Sequence, residues 1–164
     1  MAQRRVLLTG ATGYIADLLL PAFRERYDLR LTDTRTQNRQ GQPVDGVVVA
    51  DLLGADRAAL EALVDGVDAI VHCAYIRPPD GADAQTQYDA ERLNVDMAQR
   101  IYQLALDRGV RRVVAASTNQ AAKWYEQPYY AGLRDRVSPD DYPRPDNFYG
   151  WAKYTLSLHD ALPI

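Results

Sequence analysis

Two glycines near the N-terminus form the first residue pattern that could do chemistry. Thr9-Gly10-Ala11-Thr12-Gly13-Tyr14-Ile15-Ala16 lies between an apolar run and an amphipathic one. Glycines let the backbone approach a pyrophosphate, and the free N–H groups at a helix N-terminus stabilise its charge. The spacing is GxxGxxA rather than GxGxxG, and glycine pairs also form ordinary tight turns. The segment is therefore predicted to be a phosphate-binding loop mainly because it lies between a predicted strand and a predicted helix.

Two acidic residues follow the next apolar runs. Asp33 lies about 20 residues beyond Gly13, where a carboxylate accepts hydrogen bonds from the adenosine ribose and repels a 2′-phosphate, favouring NAD over NADP. The alternative is a solvated or turn-forming acid, and Arg35 nearby leaves some NADP use open. Asp51 could accept from the adenine amino group while Leu52 packs on the ring, although an acid that starts a helix would look the same.

Tyr149 and Lys153 form a YxxxK pattern, which puts the phenol and the ammonium on one helix face. A nearby cation favours the phenolate, so such a tyrosine can serve as a general acid/base. With eleven tyrosines in the chain the pattern also arises readily by chance. The segment Ser117-Thr118-Asn119 strengthens the prediction because it supplies hydroxyl groups after another apolar run.

Alternating apolar and amphipathic segments must position these residues. This alternation predicts an α/β fold, a Rossmann-like doubly wound parallel sheet whose short strands are buried on both faces. The predicted strands are Arg5–Leu8, Leu29–Thr32, Gly46–Ala50, Ala69–His72 and Arg112–Ala116. The predicted helices are Tyr14–Arg26, Arg57–Leu63, a long one from about Ala84 to Arg108, and one that begins at Trp151.

The segment from Asn119 to Asn147 is rich in proline and tyrosine and is predicted to be a long loop. A loop of this length inside a compact domain is more often functional than not. Tyr125, Tyr129 and Tyr130 could line a substrate pocket or simply cover the core.

Composition excludes several classes of protein. The 164 residues carry a net charge of −3 and are 47% hydrophobic and 25% charged, as in one globular domain. The single cysteine, Cys73, excludes a disulfide framework and a cysteine-based zinc site, so we expect no metal and a cytoplasmic location. No leader sequence or apolar run predicts secretion or a membrane span. The basic residues are scattered, which argues against nucleic acid as a partner.

The last eleven residues, Tyr154–Ile164, read as foreign sequence. One back-translation of YTLSLHDALPI is a universal adapter of short-read DNA sequencing, in frame. The alternative is a native amphipathic tail, and Tyr154 alone could be native. We therefore expect residues 1–153 to be an NAD(P)-binding Rossmann domain truncated before its C-terminal elements. Residues 154–164 would then be an artefactual tail, which removes His159 and Asp160 from any catalytic argument.

Taken together, the motifs resemble the extended short-chain dehydrogenase/reductase family, the NAD-dependent epimerase/dehydratases, over residues 4–153. The resemblance implies that Tyr149 is the catalytic acid/base, that Lys153 holds the nicotinamide ribose, and that Thr118, or less favourably Ser117, binds the substrate oxygen. The cofactor-binding positions that it implies are Gly10, Gly13, Tyr14, Ile15, Asp33, Asp51, Leu52, Ala74, Tyr75, Asn94, Tyr149 and Lys153. Asn94 would bond the backbone near the active site, unless it is only a polar residue on a helix face.

Within the family, Ala116-Ser-Thr-Asn, the aromatic loop and Arg144-Pro-Asp-Asn-Phe-Tyr-Gly look most like the uronate dehydrogenase branch. In that branch Asn119 would touch the sugar. Gln120, where a histidine is usual, and Tyr75-Ile76-Arg77, where small residues are expected, depart from the pattern. Arg77 could bind a substrate carboxylate or only face solvent.

The expected function is that of an NAD-dependent oxidoreductase or epimerase-type enzyme that acts on the hydroxyl of a sugar or sugar acid. The expected partner is a small sugar-like molecule, with neither nucleic acid nor membrane, and the full-length protein is a candidate homo-oligomer. The alternatives are a non-catalytic dinucleotide-binding or sensor protein of the same fold, or an inactive fragment.

Overall fold

A computed structural model describes residues 3–157, which form two compact units. Of the described residues, unit 1 comprises 3–75 and 96–116, and unit 2 comprises 76–95 and 117–157. His159 and Asp160, which the sequence analysis excludes from any catalytic argument, lie outside the described part of the chain. The expectation of a single domain over residues 1–153 stays a prediction.

Unit 1 contains a five-stranded, fully parallel sheet with the order β3-β2-β1-β4-β5. Its strands are β1 (Arg5–Thr9), β2 (Asp28–Asp33), β3 (Val47–Val49), β4 (Ala69–His72) and β5 (Arg112–Ala115). Strands β2 and β3 are added in turn on one side of β1, and after β3 the chain crosses over so that β4 and β5 are added on the other side. This is the Rossmann-like α/β arrangement, and the predicted fold class is confirmed.

The remaining elements are helices, of which some connect the strands of the sheet and others belong to unit 2. They are α1 (Tyr14–Arg26), α2 (Arg57–Val64), α3 (Ala84–Asp107), a 3₁₀ helix (Asn119–Tyr125), α4 (Glu126–Tyr130) and α5 (Phe148–Ser157). No helix within residues 3–157 is long and apolar enough to cross a bilayer.

The core of unit 1 forms where α1 packs on the centre of the sheet. Leu8 of β1 and Leu31 of β2 are paired in register and buried with Ala16 and Leu20 of α1. Ala16 is fully buried, and its small side chain therefore lets the helix lie close to the strands. This alanine stands at the third position of the glycine-rich loop motif, so the departure from glycine is compatible with the packing.

Two expectations about local structure are wrong. Strands β3 and β5 are not buried on both faces, because they are the two edges of this sheet: Val49 is 58% exposed and Val114 is 51% exposed. The segment after Asn119 is not a continuous loop, because it holds the 3₁₀ helix and α4.

The last helix, α5, starts at Phe148, three residues earlier than predicted, because Asn147 caps it. The Asn147 side-chain oxygen accepts from the Gly150 backbone N–H at 2.8 Å, which satisfies a donor of the first helical turn. The helix continues through Tyr154–Ser157, the first residues of the segment expected to be foreign. A helix that is already nucleated extends through many sequences, so the origin of the segment stays a prediction.

Candidate active site

Gly10 sits where unit 1 has no room for a side chain. Its φ is +68°, and a Cβ built on it would lie 2.6 Å from the Ala74 nitrogen and 2.7 Å from the Cys73 carbonyl carbon. The turn after β1 therefore presses against the chain that leaves β4. The Ala74 N–H also donates to the Thr9 hydroxyl at 3.4 Å, and that hydroxyl is 2.8 Å from the His72 ring nitrogen Nδ1. Only glycine meets both the conformational and the steric demand at this position.

Gly13 is the N-cap residue of α1, and no side chain caps this helix. The N–H groups of the first turn, beginning at Tyr14, are the ones that a bound anion can satisfy. A Cβ at Gly13 would lie 3.1 Å from the Gly10 carbonyl oxygen, so the loop is narrow here as well. Tyr14 and Ile15 are both exposed. The first turn of α1 is therefore open to an anion, and binding of a diphosphate by this loop stays a prediction.

Asp33 ends β2 beside this loop and is tied to it. One carboxylate oxygen, Oδ2, accepts from the Thr12 N–H at 2.9 Å and from the Thr12 hydroxyl at 2.7 Å. The other, Oδ1, accepts from the Thr34 N–H at 2.7 Å. The carboxylate is therefore held at the edge of the loop, and it is not simply a solvated acid.

Asp51 and Leu52 differ in their surroundings. Asp51 is exposed and accepts from the Leu53 N–H at 2.9 Å, which makes it a turn-forming acid. It does not start α2, because that helix is capped by Asp56. Leu52 is 4% exposed and belongs to the core of unit 1.

In unit 2, Asn94 clamps the chain that follows β4. Its side-chain oxygen accepts from the Ile76 N–H at 2.7 Å, and its amide nitrogen donates to the Ile76 carbonyl at 2.9 Å and to Glu91 at 3.3 Å. Asn94 is 3% exposed. The expected bond to backbone is therefore present, and Asn94 is not a plain polar residue on a helix face; its closeness to an active site stays a prediction.

Tyr149 and Lys153 lie on α5 as expected from their spacing. The Lys153 ammonium is 5.9 Å from the centre of the Tyr149 ring. Lys153 is 6% exposed, whereas Tyr149 is half-buried. The helix thus presents a phenol at its surface with a cation behind it, which is an arrangement suited to proton transfer.

Gly150 and Asn147 bring α5 against the segment that begins at Thr118, and the sequence reasoning missed both. A Cβ at Gly150 would lie 2.8 Å from the Gln120 carbonyl carbon and 3.0 Å from Pro145 Cβ. The Asn147 amide nitrogen donates to the Gln120 side-chain oxygen at 2.9 Å. A glycine inside a helical pattern was the available signal, because it often marks a close backbone approach.

The hydroxyl-bearing segment has one half-buried and two exposed members. Thr118 caps the 3₁₀ helix by accepting from the Gln120 N–H at 3.2 Å, and its hydroxyl donates to the Asn119 side chain at 3.3 Å. Ser117 and Asn119 are exposed. Arg77 is also exposed and pairs with Asp80 at 3.0 Å. Such a surface pair contributes little energy, so the guanidinium can exchange this partner for another.

The aromatic residues after Thr118 divide between core and surface. Tyr125 is buried and donates to the Tyr142 carbonyl at 2.9 Å, and Arg134 lies over its ring at 4.5 Å. Arg134 also pairs with Asp141 and lowers the pKa of that carboxyl. Tyr129 and Tyr130 are exposed. Tyr125 therefore covers the core of unit 2, while the other two do not.

Within residues 3–157, no cluster of three or more His, Cys, Asp or Glu side chains could hold a metal ion.

The sheet order and the glycine loop define a Rossmann-like protein, and comparison with known sequences identifies its family. The chain belongs to the NAD dependent epimerase/dehydratase family, whose profile matches residues 6–159. It is 31% identical to a uronate dehydrogenase of Pseudomonas putida over 153 residues, which are 91% of this chain and 51% of the relative. It is 33% identical to an NAD-dependent glucose-6-phosphate dehydrogenase of Haloferax volcanii over 159 residues, 90% of this chain and 58% of the relative.

Solved structures agree with the fold. The crystal structure of uronate dehydrogenase from Agrobacterium tumefaciens superposes with a TM-score of 0.70 at 29% identity, covering 97% of this chain and 55% of that one. A UDP-N-acetylglucosamine 4-epimerase from Methanobrevibacter ruminantium gives a TM-score of 0.76 at 16% identity, covering 98% of this chain and 50% of that one. The chain thus spans about half the length of the curated relatives that it matches.

Proposed function

We propose that the full-length protein is an NAD-dependent oxidoreductase of a sugar or sugar-acid hydroxyl. The observation that carries the proposal is the packing of α5. Gly150 and Asn147 hold this helix against Gln120, two residues after Thr118, so a phenol backed by an ammonium lies on the same packed pair of segments as a hydroxyl.

The cofactor part of the proposal rests on unit 1. The diphosphate would lie over Gly10 and Gly13 at the N-terminus of α1, and the adenosine ribose would bond Asp33. The rest of the dinucleotide would contact Asp51, Ala74 and Tyr75, whereas the buried Leu52 has little surface left for it. Relatives that are named as NAD-dependent support NAD as the cofactor.

The candidate catalytic residues of unit 2 have separate roles in the proposed reaction. Tyr149 accepts the proton of the substrate hydroxyl while Thr118, or Ser117 beside it, holds the oxygen. The Lys153 ammonium, 5.9 Å from the centre of the Tyr149 ring, would bond the nicotinamide ribose. The nicotinamide, when bound, supplies the acceptor for the hydride.

The proposed substrate class is a sugar acid or an aldose. Relatives named for uronate, glucose 6-phosphate and L-arabinose support it. Arg77 is the residue that we propose for an anionic group on the sugar, since its pair with Asp80 is exposed and exchangeable. Asn119 would contact a sugar hydroxyl.

The test is Tyr149→Phe in the full-length protein, with Tyr130→Phe as the matched control, because Tyr130 is 81% exposed. Loss of a general acid/base should lower kcat/KM about 10²–10⁴-fold with a uronic acid and NAD. NADH affinity, measured by fluorescence titration, should be unchanged. Tyr130→Phe should match the parent in both assays.

Two outcomes would contradict the proposal. Loss of NADH binding in Tyr149→Phe would mean that the phenol serves the cofactor site and not proton transfer. NADH binding by the parent without turnover of uronic acids, aldoses or nucleotide sugars would favour a non-catalytic dinucleotide-binding protein.

A further inference from the structure

Thr12 contacts both Asp33 and Arg35, an acidic and a basic side chain that have opposite effects on binding of a 2′-phosphate. Its hydroxyl is 2.7 Å from Asp33 Oδ2, and the Arg35 Nε lies 3.2 Å from the same hydroxyl oxygen. The three residues belong to unit 1, and Thr12 is 1% exposed. Because solvent scarcely reaches Thr12, the hydroxyl makes its bonds to these two side chains with little competition from water.

The chemistry of the three groups determines the direction of both hydrogen bonds. Arg35 can only donate, and an ionised Asp33 can only accept. The Thr12 hydroxyl has one hydrogen, so it donates to Asp33 and accepts from Arg35. Thr12 therefore links a carboxylate and a guanidinium through one hydroxyl group.

The link also limits how Asp33 can meet a ribose. Oδ2 already accepts two bonds from Thr12, and Oδ1 accepts a short one from the Thr34 N–H and a long one, at 3.4 Å, from the exposed Thr34 hydroxyl. A carboxylate offers about four acceptor positions. A ribose hydroxyl can replace the long bond from the Thr34 hydroxyl without breaking a short one, so the ribose would bond Oδ1, and the Thr12 bonds fix where that oxygen points.

We propose that Thr12 is a positioning residue that sets the preference of the cofactor site for NAD over NADP. This inference rests on the proposed function. Asp33 favours a ribose diol and repels a 2′-phosphate, whereas a free guanidinium attracts the phosphate. The Thr12 hydroxyl orients the Asp33 carboxylate and bonds the Nε of Arg35. The effect of Asp33, which favours NAD, therefore outweighs the attraction of the guanidinium for the 2′-phosphate of NADP.

The test compares Thr12→Val, which keeps the shape and removes the hydroxyl, with Thr12→Ser, which keeps the hydroxyl. NADH and NADPH are titrated separately into the full-length protein and binding is followed by nucleotide fluorescence. In Thr12→Val the Kd for NADH should rise about tenfold, which is about 1.4 kcal/mol. The Kd for NADPH should stay the same or fall, so the preference for NADH shrinks. Thr12→Ser should retain the preference of the parent.

Thr12→Ala is the second variant, because it removes the hydroxyl without burying a methyl group beside the carboxylate, and it should reproduce the loss of preference. Circular dichroism checks that each variant is folded. Equal weakening of NADH and NADPH binding would show that Thr12 only supports the turn, and a serine variant that behaves like valine would also overturn the inference. A parent that binds neither nucleotide would overturn the proposed function itself, whereas a parent that binds NADH with variants of unchanged preference would overturn only the role of Thr12.

Discussion

Replacing Gly10 with alanine is the sharpest test of how the glycine loop is built. The backbone at Gly10 has φ +68°, and the new Cβ would come within 2.6 Å and 2.7 Å of Ala74 and Cys73 backbone atoms. These atoms belong to the main chain beyond β4, so no side-chain rotation can relieve the contact. Either the loop or the chain after β4 must move.

The magnitude follows from two costs. A side chain in the left-handed region costs about 1–2 kcal/mol, and overpacking of a well-packed region costs about 1–3 kcal/mol. The free energy of unfolding should therefore fall by about 2–5 kcal/mol, the sum of those costs. With a urea m-value of about 2 kcal/mol/M, the midpoint should fall by about 1–2.5 M.

Gly109 provides the matched control. Its φ is +66°, nearly that of Gly10, but nothing lies within 4 Å of a Cβ built on it. It ends α3 in a Schellman-type turn, in which the Val110 N–H donates to the Ala105 carbonyl at 2.8 Å. Gly109→Ala should therefore show only the conformational cost of about 1–2 kcal/mol.

The assay is urea unfolding of the full-length protein and both variants, followed by far-UV circular dichroism. The difference between the two variants isolates the contact of residue 10 with Ala74. If Gly10→Ala loses no more stability than Gly109→Ala, the close approach of the loop to the chain after β4 is refuted.

Two further predictions follow from other contacts. Asn94→Ala should cost about 1–3 kcal/mol of stability, because both Ile76 backbone groups lose their partner; thermal unfolding that matches the parent would contradict this. Arg57 lowers the pKa of both Glu61 and Asp107, so this stabilisation is present above their ordinary pKa values and is lost as the pH falls through the lowered ones. Arg57→Gln should accordingly have a lower Tm than the parent near pH 7, and the two Tm values should converge in acid. A Tm difference that persists in acid would contradict the ion-pair explanation.

Local sequence patterns determined most of the secondary structure. The bounds of α1 and β4 agree with the prediction, because apolar periodicity and the flanking turn residues act over a few positions. The sequence also singled out Gly10, Gly13, Asp33 and the Tyr149/Lys153 pair, whose chemistry depends on residue type and short spacing.

Tertiary structure decided the features that depend on distant partners. Which strands are edges follows from the sheet order, so the exposure of Val49 and Val114 could not be predicted from their own segments. The close packing of Gly150 on Gln120 and the Thr12 link between Asp33 and Arg35 join residues at least 20 positions apart. A single sequence names the groups that can bond, but only the packed chain brings a particular donor to a particular acceptor.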